Sequence, residues 1–313
     1  VTTPGDATDV AVVGDHAYIA TKGGALVDVD VSHKGAPRRL GWTSIPGDAT
    51  GLAMSGDHAF VTYGVGRTGG LATFNVSRPG SPRFLKSLSL PGLPNGIAVS
   101  NDHAYVADWY YGLEVLDVGD PRLPRIVGTV STPGYPTSVA VAGHYAFLTD
   151  WYKGMQVIDV SNAELPHLAA SADALSYVYG VTLGQGYAFV AGEEWTELGP
   201  AFVKVQGGLA VIDVTSPEAP RPVATVMSES AGSLAVAVAG RYAFTADGNR
   251  GLTVFDVNHP DAPRLVGTMA IPGGAEGVVA TADAVFVAAR SGGLVILATG
   301  ALPKNVFLPR VGH

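Results

Sequence analysis

Gly112-Leu-Glu-Val-Leu-Asp-Val118 is a short strand of branched residues that runs into the turn Gly119-Asp-Pro-Arg-Leu-Pro124. Branched residues bounded by Gly, Asp and Pro read as a buried strand and its stop signal. The pattern returns around Asp159, Asp213 and Asp256, more loosely around Asp30 and Asn75, and in degraded form at Gly293-Leu-Val-Ile-Leu297. Counting Ala298 as the last anchor, the steps are 45, 42, 42, 54, 43 and 42 residues. A period of this length built from short strands predicts an all-β chain, a single β-propeller of four-stranded antiparallel blades, and seven units suffice to close a ring.

Residues 92–132 show what one unit holds. Gly96-Ile-Ala-Val-Ser100 is a small-residue strand suited to the crowded inner edge, and Asn101-Asp-His103 makes a tight turn. Ala104-Tyr-Val-Ala107 is the second strand, Leu113–Val118 the third and Arg125-Ile-Val-Gly-Thr-Val130 the outer one. Blade faces stack on their neighbours, so the middle strands must be apolar on both sides. The same reading gives blades over about 6–45, 47–90, 92–132, 134–172, 174–227, 229–270 and 272–313. The seventh would take its outer strand from Asn305-Val-Phe-Leu308, while Val1-Thr-Thr-Pro4 matches only the tail of an outer strand such as Val130-Ser-Thr-Pro133. Each blade is therefore expected to be contiguous, with weak or no strand exchange at the seam.

The 41 Gly and 21 Pro fall in register with the repeat and act as turn punctuation, while 47% apolar residues imply a large core. A net charge of −8 argues against nucleic acid, which needs clustered Lys and Arg. No run is apolar enough for a transmembrane segment. Absence of cysteine removes disulfides and thiolate metal sites. The chain opens at Val1 rather than Met, as after removal of a signal peptide or after trimming. Scarce Asn and Gln point to a heat-exposed source.

The units resemble the LVIVD repeat, a propeller repeat of bacterial and archaeal secreted or cell-surface proteins. The residues that carry the likeness are Leu26-Val-Asp-Val-Asp30, Met155-Gln-Val-Ile-Asp159, Leu209-Ala-Val-Ile-Asp213 and Leu252-Thr-Val-Phe-Asp256, followed by Val214-Thr-Ser-Pro-Glu-Ala-Pro220. The resemblance implies an extracellular or cell-surface location. It supplies no catalytic residues.

Several constellations imitate chemistry. The repeated Asp30, Asp117, Asp159, Asp213 and Asp256 are expected to cap Ser/Pro turns, since Asn75 fills the same place. Recurrent Pro-Arg pairs, such as Pro124-Arg125 and Pro220-Arg221, are expected to join nearby turn carboxylates. His16, His58 and His103 belong to different blades, too far apart to converge on one zinc ion. Gly64-Val-Gly-Arg-Thr-Gly69 fits the dinucleotide motif but precedes a strand where that motif needs a helix. The sequon Asn75-Val-Ser77 sits on a turn anchor, a poor place for a glycan. No catalytic motif is present.

The binding candidates lie between second and third strands. Blade three has Asp108-Trp109-Tyr110-Tyr111-Gly112 and blade four Asp150-Trp151-Tyr152-Lys153-Gly154. Blade five carries an insertion that opens with Glu193, Glu194 and Trp195. Blade geometry puts the linkers with Tyr135, Tyr177 and Tyr179 on the same face, whereas other blades have plain loops such as Lys22-Gly-Gly24. Trp and Tyr anchor protein interfaces and flat rings also stack on sugars, so a surface protein partner is expected first and a glycan second. Structural Ca²⁺ could join the acidic residues; no other cofactor is expected. A hydrolase reading would use Glu193 or Glu194 with Asp150 as a carboxylate pair flanking a glycosidic bond.

Overall fold

A computed structural model describes residues 1–197, 203–228 and 232–298. Seven antiparallel sheets follow one another along the chain, over 7–44, 48–90, 94–130, 138–172, 177–227, 235–269 and 277–298. Six have four strands and the seventh has three among the described residues. Within each sheet the strands pair in sequence order, and the inner strands of successive sheets pack side by side into a closed ring, the first against the seventh. The architecture is a seven-bladed β-propeller.

The second and third strands form the core, with Phe60, Phe147, Phe244, Phe255 and Phe286 almost wholly buried. They sit in apolar clusters that run from one blade into the next, as where Phe147 meets Val181, Val190 and Ile212. Outer strands begin with exposed residues, and each carries a bulge opposite the residue before the turn Asp or Asn, as between Val115 and Leu116. The bulge bends the edge away from straight pairing, one way to manage an exposed edge.

Small residues bring the inner strands together. A Cβ on Gly96 would stand 2.7 Å from Ser138 Cα, and one on Gly180 would stand 2.9 Å from Ala235 Cα. Threonines then tie blades across the same joints. Thr50 and Thr62 donate to the carbonyls of Pro94 and Asn95 in blade three. Thr137 and Thr149 make the same reach to Val178 and Tyr179 in blade five.

The seam carries a one-residue exchange. The Val1 ammonium donates to Leu294 O and the Leu294 amide donates to Val1 O, both at 2.8 Å. A Cβ on Gly293 would meet Val1 O at 2.1 Å, as one on Gly112 would meet Val130 O. Val1 thus stands against Leu294 as Val130 stands against Leu113. The outer strand expected at 305–308 lies outside the described residues.

Candidate functional site: an aromatic arc beside the tunnel mouth

The site grows from a turn used in several blades. Asp108 and Asp150 follow or close the second strands of blades three and four and are wholly buried. Asp108 accepts the amides of Tyr110 and Tyr111, which folds the turn that carries them. Asp150 accepts the amide of Gly134, which pins the preceding linker and with it Tyr135. Burial raises both carboxyls and these amides pull them back. Neither is an open surface ligand; both are supports for the rings above them.

The residue after Asp150 is Trp151, with φ +35°, in the left-handed region that a bulky residue rarely adopts. Gly248 in blade six and Arg290 in blade seven hold the corresponding place at φ +57° and +47°. All three make an isolated bridge to the next blade or the linker leading into it: Trp151 to Val178, Gly248 to Ala275, Arg290 to Ala7. The conformation exists because it clips adjacent blades. In blade four a tryptophan accepts the strain.

The aromatic residues of three blades form one contiguous arc. Trp109 stacks on Tyr135 with centroids 5.2 Å apart and planes 15° apart. Trp151 touches Trp109, Tyr135, Tyr152 and Tyr177 at 5.1–5.9 Å, tilted between 42° and 72°. Tyr177 then meets Trp195 at 5.1 Å. Trp109, Trp151 and Tyr177 are half-buried, while Tyr110, Tyr111, Tyr135, Tyr152 and Trp195 are exposed. Trp109 and Trp151 are therefore both wedges between blades and the floor of a surface patch.

Blade five supplies the end of the arc differently from expectation. Its insertion lengthens the second and third strands into a hairpin, Tyr187–Glu197 against Val203–Asp213, so Glu193, Glu194 and Trp195 stand on a strand and not a loop. Glu193 accepts from Tyr179 Oη at 2.9 Å and from Trp195 Nε1 at 3.0 Å. Burial, opposed by a hydrogen bond from Trp151 and aided by Glu193, pushes the Tyr179 phenol up to about 12. Glu194 accepts the Ser176 amide and holds the linker beneath Tyr177. With Asp150 sealed and Glu193 engaged, the carboxylate pair of the hydrolase reading does not flank an open cleft.

Two features escaped the sequence reading. Glu114, in the third strand of blade three, is wholly buried, and neither of its oxygens has a hydrogen-bond partner among the described residues. Burial first, and Asp108 second, push its carboxyl up to about 8. The signal was the occupant of this place in other blades: Gln156, Ala210 and Thr253. The second feature is a cavity of about 470 Å³ at the tunnel mouth, to which all seven inner strands, Lys22 and Trp109 contribute.

The remaining constellations are structural. Asp30, Asn75, Asp159 and Asp213 each accept the amide two residues on and the hydroxyl there or nearby, and Asp117 and Asp256 accept the corresponding amide. Arg38, Arg125 and Arg221 pair with the turn carboxylates eight residues before them. His16 meets Asp28 at 2.9 Å. Gly64 and Gly69 belong to the strands of a hairpin. Among the described residues no group of three His, Cys, Asp or Glu could hold a metal ion, and no helix is long and apolar enough to cross a membrane.

Solved structures share the fold at low sequence identity. A functionally unknown protein from Desulfotomaculum acetoxidans superposes with a TM-score of 0.73 at 14% identity, covering 95% of this chain and 91% of its own. The WD40 domain of Neurospora crassa Pan2 gives 0.70 at 13%, covering 98% and 92%. The β-propeller domain of Myceliophteria thermophila Cps50 (Swd1) gives 0.70 at 13%, covering 95% and 98%. None of the three is described as an enzyme. No curated protein matches the sequence. The LVIVD repeat matches residues 4–41, 46–88, 91–132, 133–174 and 232–270, leaving out the blade with the hairpin insertion and the seam blade. With more than half of its length matched, the chain belongs to the LVIVD-repeat family.

Proposed function

We propose that this propeller is a non-catalytic, extracellular recognition module whose aromatic arc docks a protein partner in a cell-surface assembly. The observation that carries the reading is the mutual tilt of the rings. Trp151 meets its neighbours at steep angles and Tyr135 covers a face of Trp109. A sugar platform needs open ring faces; a close-packed aromatic patch with phenols at its edge instead fits the anchor cluster of a protein interface. The fold shared with WD40 domains suits a scaffold. A glycan is the second reading, favoured by the half-exposed Trp195 ring beside the Glu193 carboxylate.

The test is capture from envelope extract by the intact chain and by the Trp151→Gly, Trp195→Ala variant. Gly is the residue blade six uses at the first position, so the fold should persist. A protease-sensitive partner held by the intact chain and lost by a folded variant is the expected result. Retention after protease treatment would assign the arc to glycan. Equal capture by both proteins would remove the arc from recognition.

A further inference from the structure

The tunnel mouth has a chemistry of its own. Its ring of inner-strand positions is filled by Asp9, Gly51, Gly96, Ser138, Gly180, Ala235 and Gly277, so one carboxylate stands among small residues. Asp9 bridges two blades: Oδ1 accepts the Val10 amide and Oδ2 the Leu52 amide, both at 2.8 Å. It makes no ion pair among the described residues. The other tunnel carboxylate, Glu276, is taken by Lys22 Nζ on one oxygen and Arg290 Nε on the other, each at 2.9 Å. The lining also includes Trp109 and Tyr179, at the inner side of the aromatic arc.

We infer that the tunnel mouth receives a single basic side chain, Lys or Arg, of the segment that lies along the aromatic arc, with Asp9 as counter-ion and Trp109 and Tyr179 as walls. An aromatic wall attracts a desolvated cation, and a carboxylate that already holds two amides keeps lone pairs for a third donor. A cavity of about 470 Å³ suits one side chain or small ligand. Among the described residues that line the cavity Lys22 is the one cation, and it opposes entry. The inference rests on the arc as docking face, but its test needs no natural partner, so the two fail separately.

The probes are acetyl-Gly-Arg-Gly amide and its Gln counterpart, followed by saturation-transfer NMR at low ionic strength, where exposed charges are least screened. The Arg peptide should bind and the Gln peptide should not. Burial raises the Asp9 carboxyl to about 6, so binding should be about tenfold tighter at about pH 7.5 than at about pH 5. Asp9→Asn should weaken it about tenfold and remove that pH dependence. Lys22→Gln should tighten it about threefold by removing a like charge. Binding unaffected by Asp9→Asn in a folded variant, or weakened by Lys22→Gln, would overturn the cation site. Asp9-dependent binding of putrescine without binding of the Arg peptide would overturn the polypeptide source.

Discussion

Blades four and seven make the same turn with different residues. Trp151 and Arg290 both adopt a left-handed conformation and both bridge to the inner strand of the next blade. Around Trp151 the side chains are rings, while around Arg290 they are Glu276, Asn249 and, through Glu276, Lys22. One half of the mouth is thus aromatic and the other an ion-paired network on an unchanged backbone frame. The frame belongs to the ring; the difference lies in the side chains it carries. Gly248 in blade six shows that the frame asks for no side chain at all.

The same contrast extends below the surface, where the largest effect is expected. Blade six satisfies its buried Asp247 with the hydroxyl of Thr253, and blade four puts Gln156 at the corresponding place, donating to Lys153 O. Blade three has Glu114, raised from 4.5 to about 8. Between those values the unfolded chain ionises and the folded one stays protonated, so stability falls as pH rises through that window. Glu114→Gln, which copies blade four, should stabilise the protein by up to about 3 kcal/mol at about pH 7 and leave it unchanged near pH 4. Thermal melts across pH decide it. A variant whose stability gain did not grow with pH would show that Glu114 is ionised and partnered in the fold.

Trp151→Gly separates ring from frame. It relieves a left-handed tryptophan, a strain of about 1–3 kcal/mol, and deletes four aromatic contacts that contribute about 0.5–1.5 kcal/mol each. The net expectation is a loss of at least about 2 kcal/mol with the blade joint intact, since the Val178 amide bonds to a backbone carbonyl that Gly retains. Denaturant unfolding with an unchanged m-value would support this, because the exposed surface would be the same. A drop in m would mean that the ring holds the joint.

The sequence carried the ring in its period, because every blade repeats one packing problem and solves it with the same residue types. Asp117 and its equivalents were legible as turn supports for the same reason. The arc was half legible: Asp-Trp-Tyr marks the place, but Asp108 and Asp150 there face inward. Whether a turn carboxylate points to solvent or to backbone amides depends on the linker from the previous blade, which for Asp150 means Gly134, 16 residues before it. The hairpin of blade five looked like a loop insertion because strand pairing of Glu197 with Val203 leaves no short-range pattern. Asp9 was visible only as a misfit in a column of small residues, and its meaning required the tunnel.

Arg290→Gly completes the comparison with the smallest effect. It removes the ion pair with Glu276 and the bond to Asn249, in a setting where both charged side chains keep some exposure, 31% for Arg290 and 22% for Glu276. Such pairs contribute about 0–1 kcal/mol, and relief of the left-handed backbone offsets part of that. The melting temperature should therefore stay nearly constant where Trp151→Gly lowers it. Because the Ala7–Arg290 bridge is made by backbone groups, the seam should hold. A larger loss from Arg290→Gly than from Trp151→Gly would reverse the reading of the two halves, making the charged half the one that holds the ring closed and leaving the aromatic half as ornament on a joint that needs nothing from it.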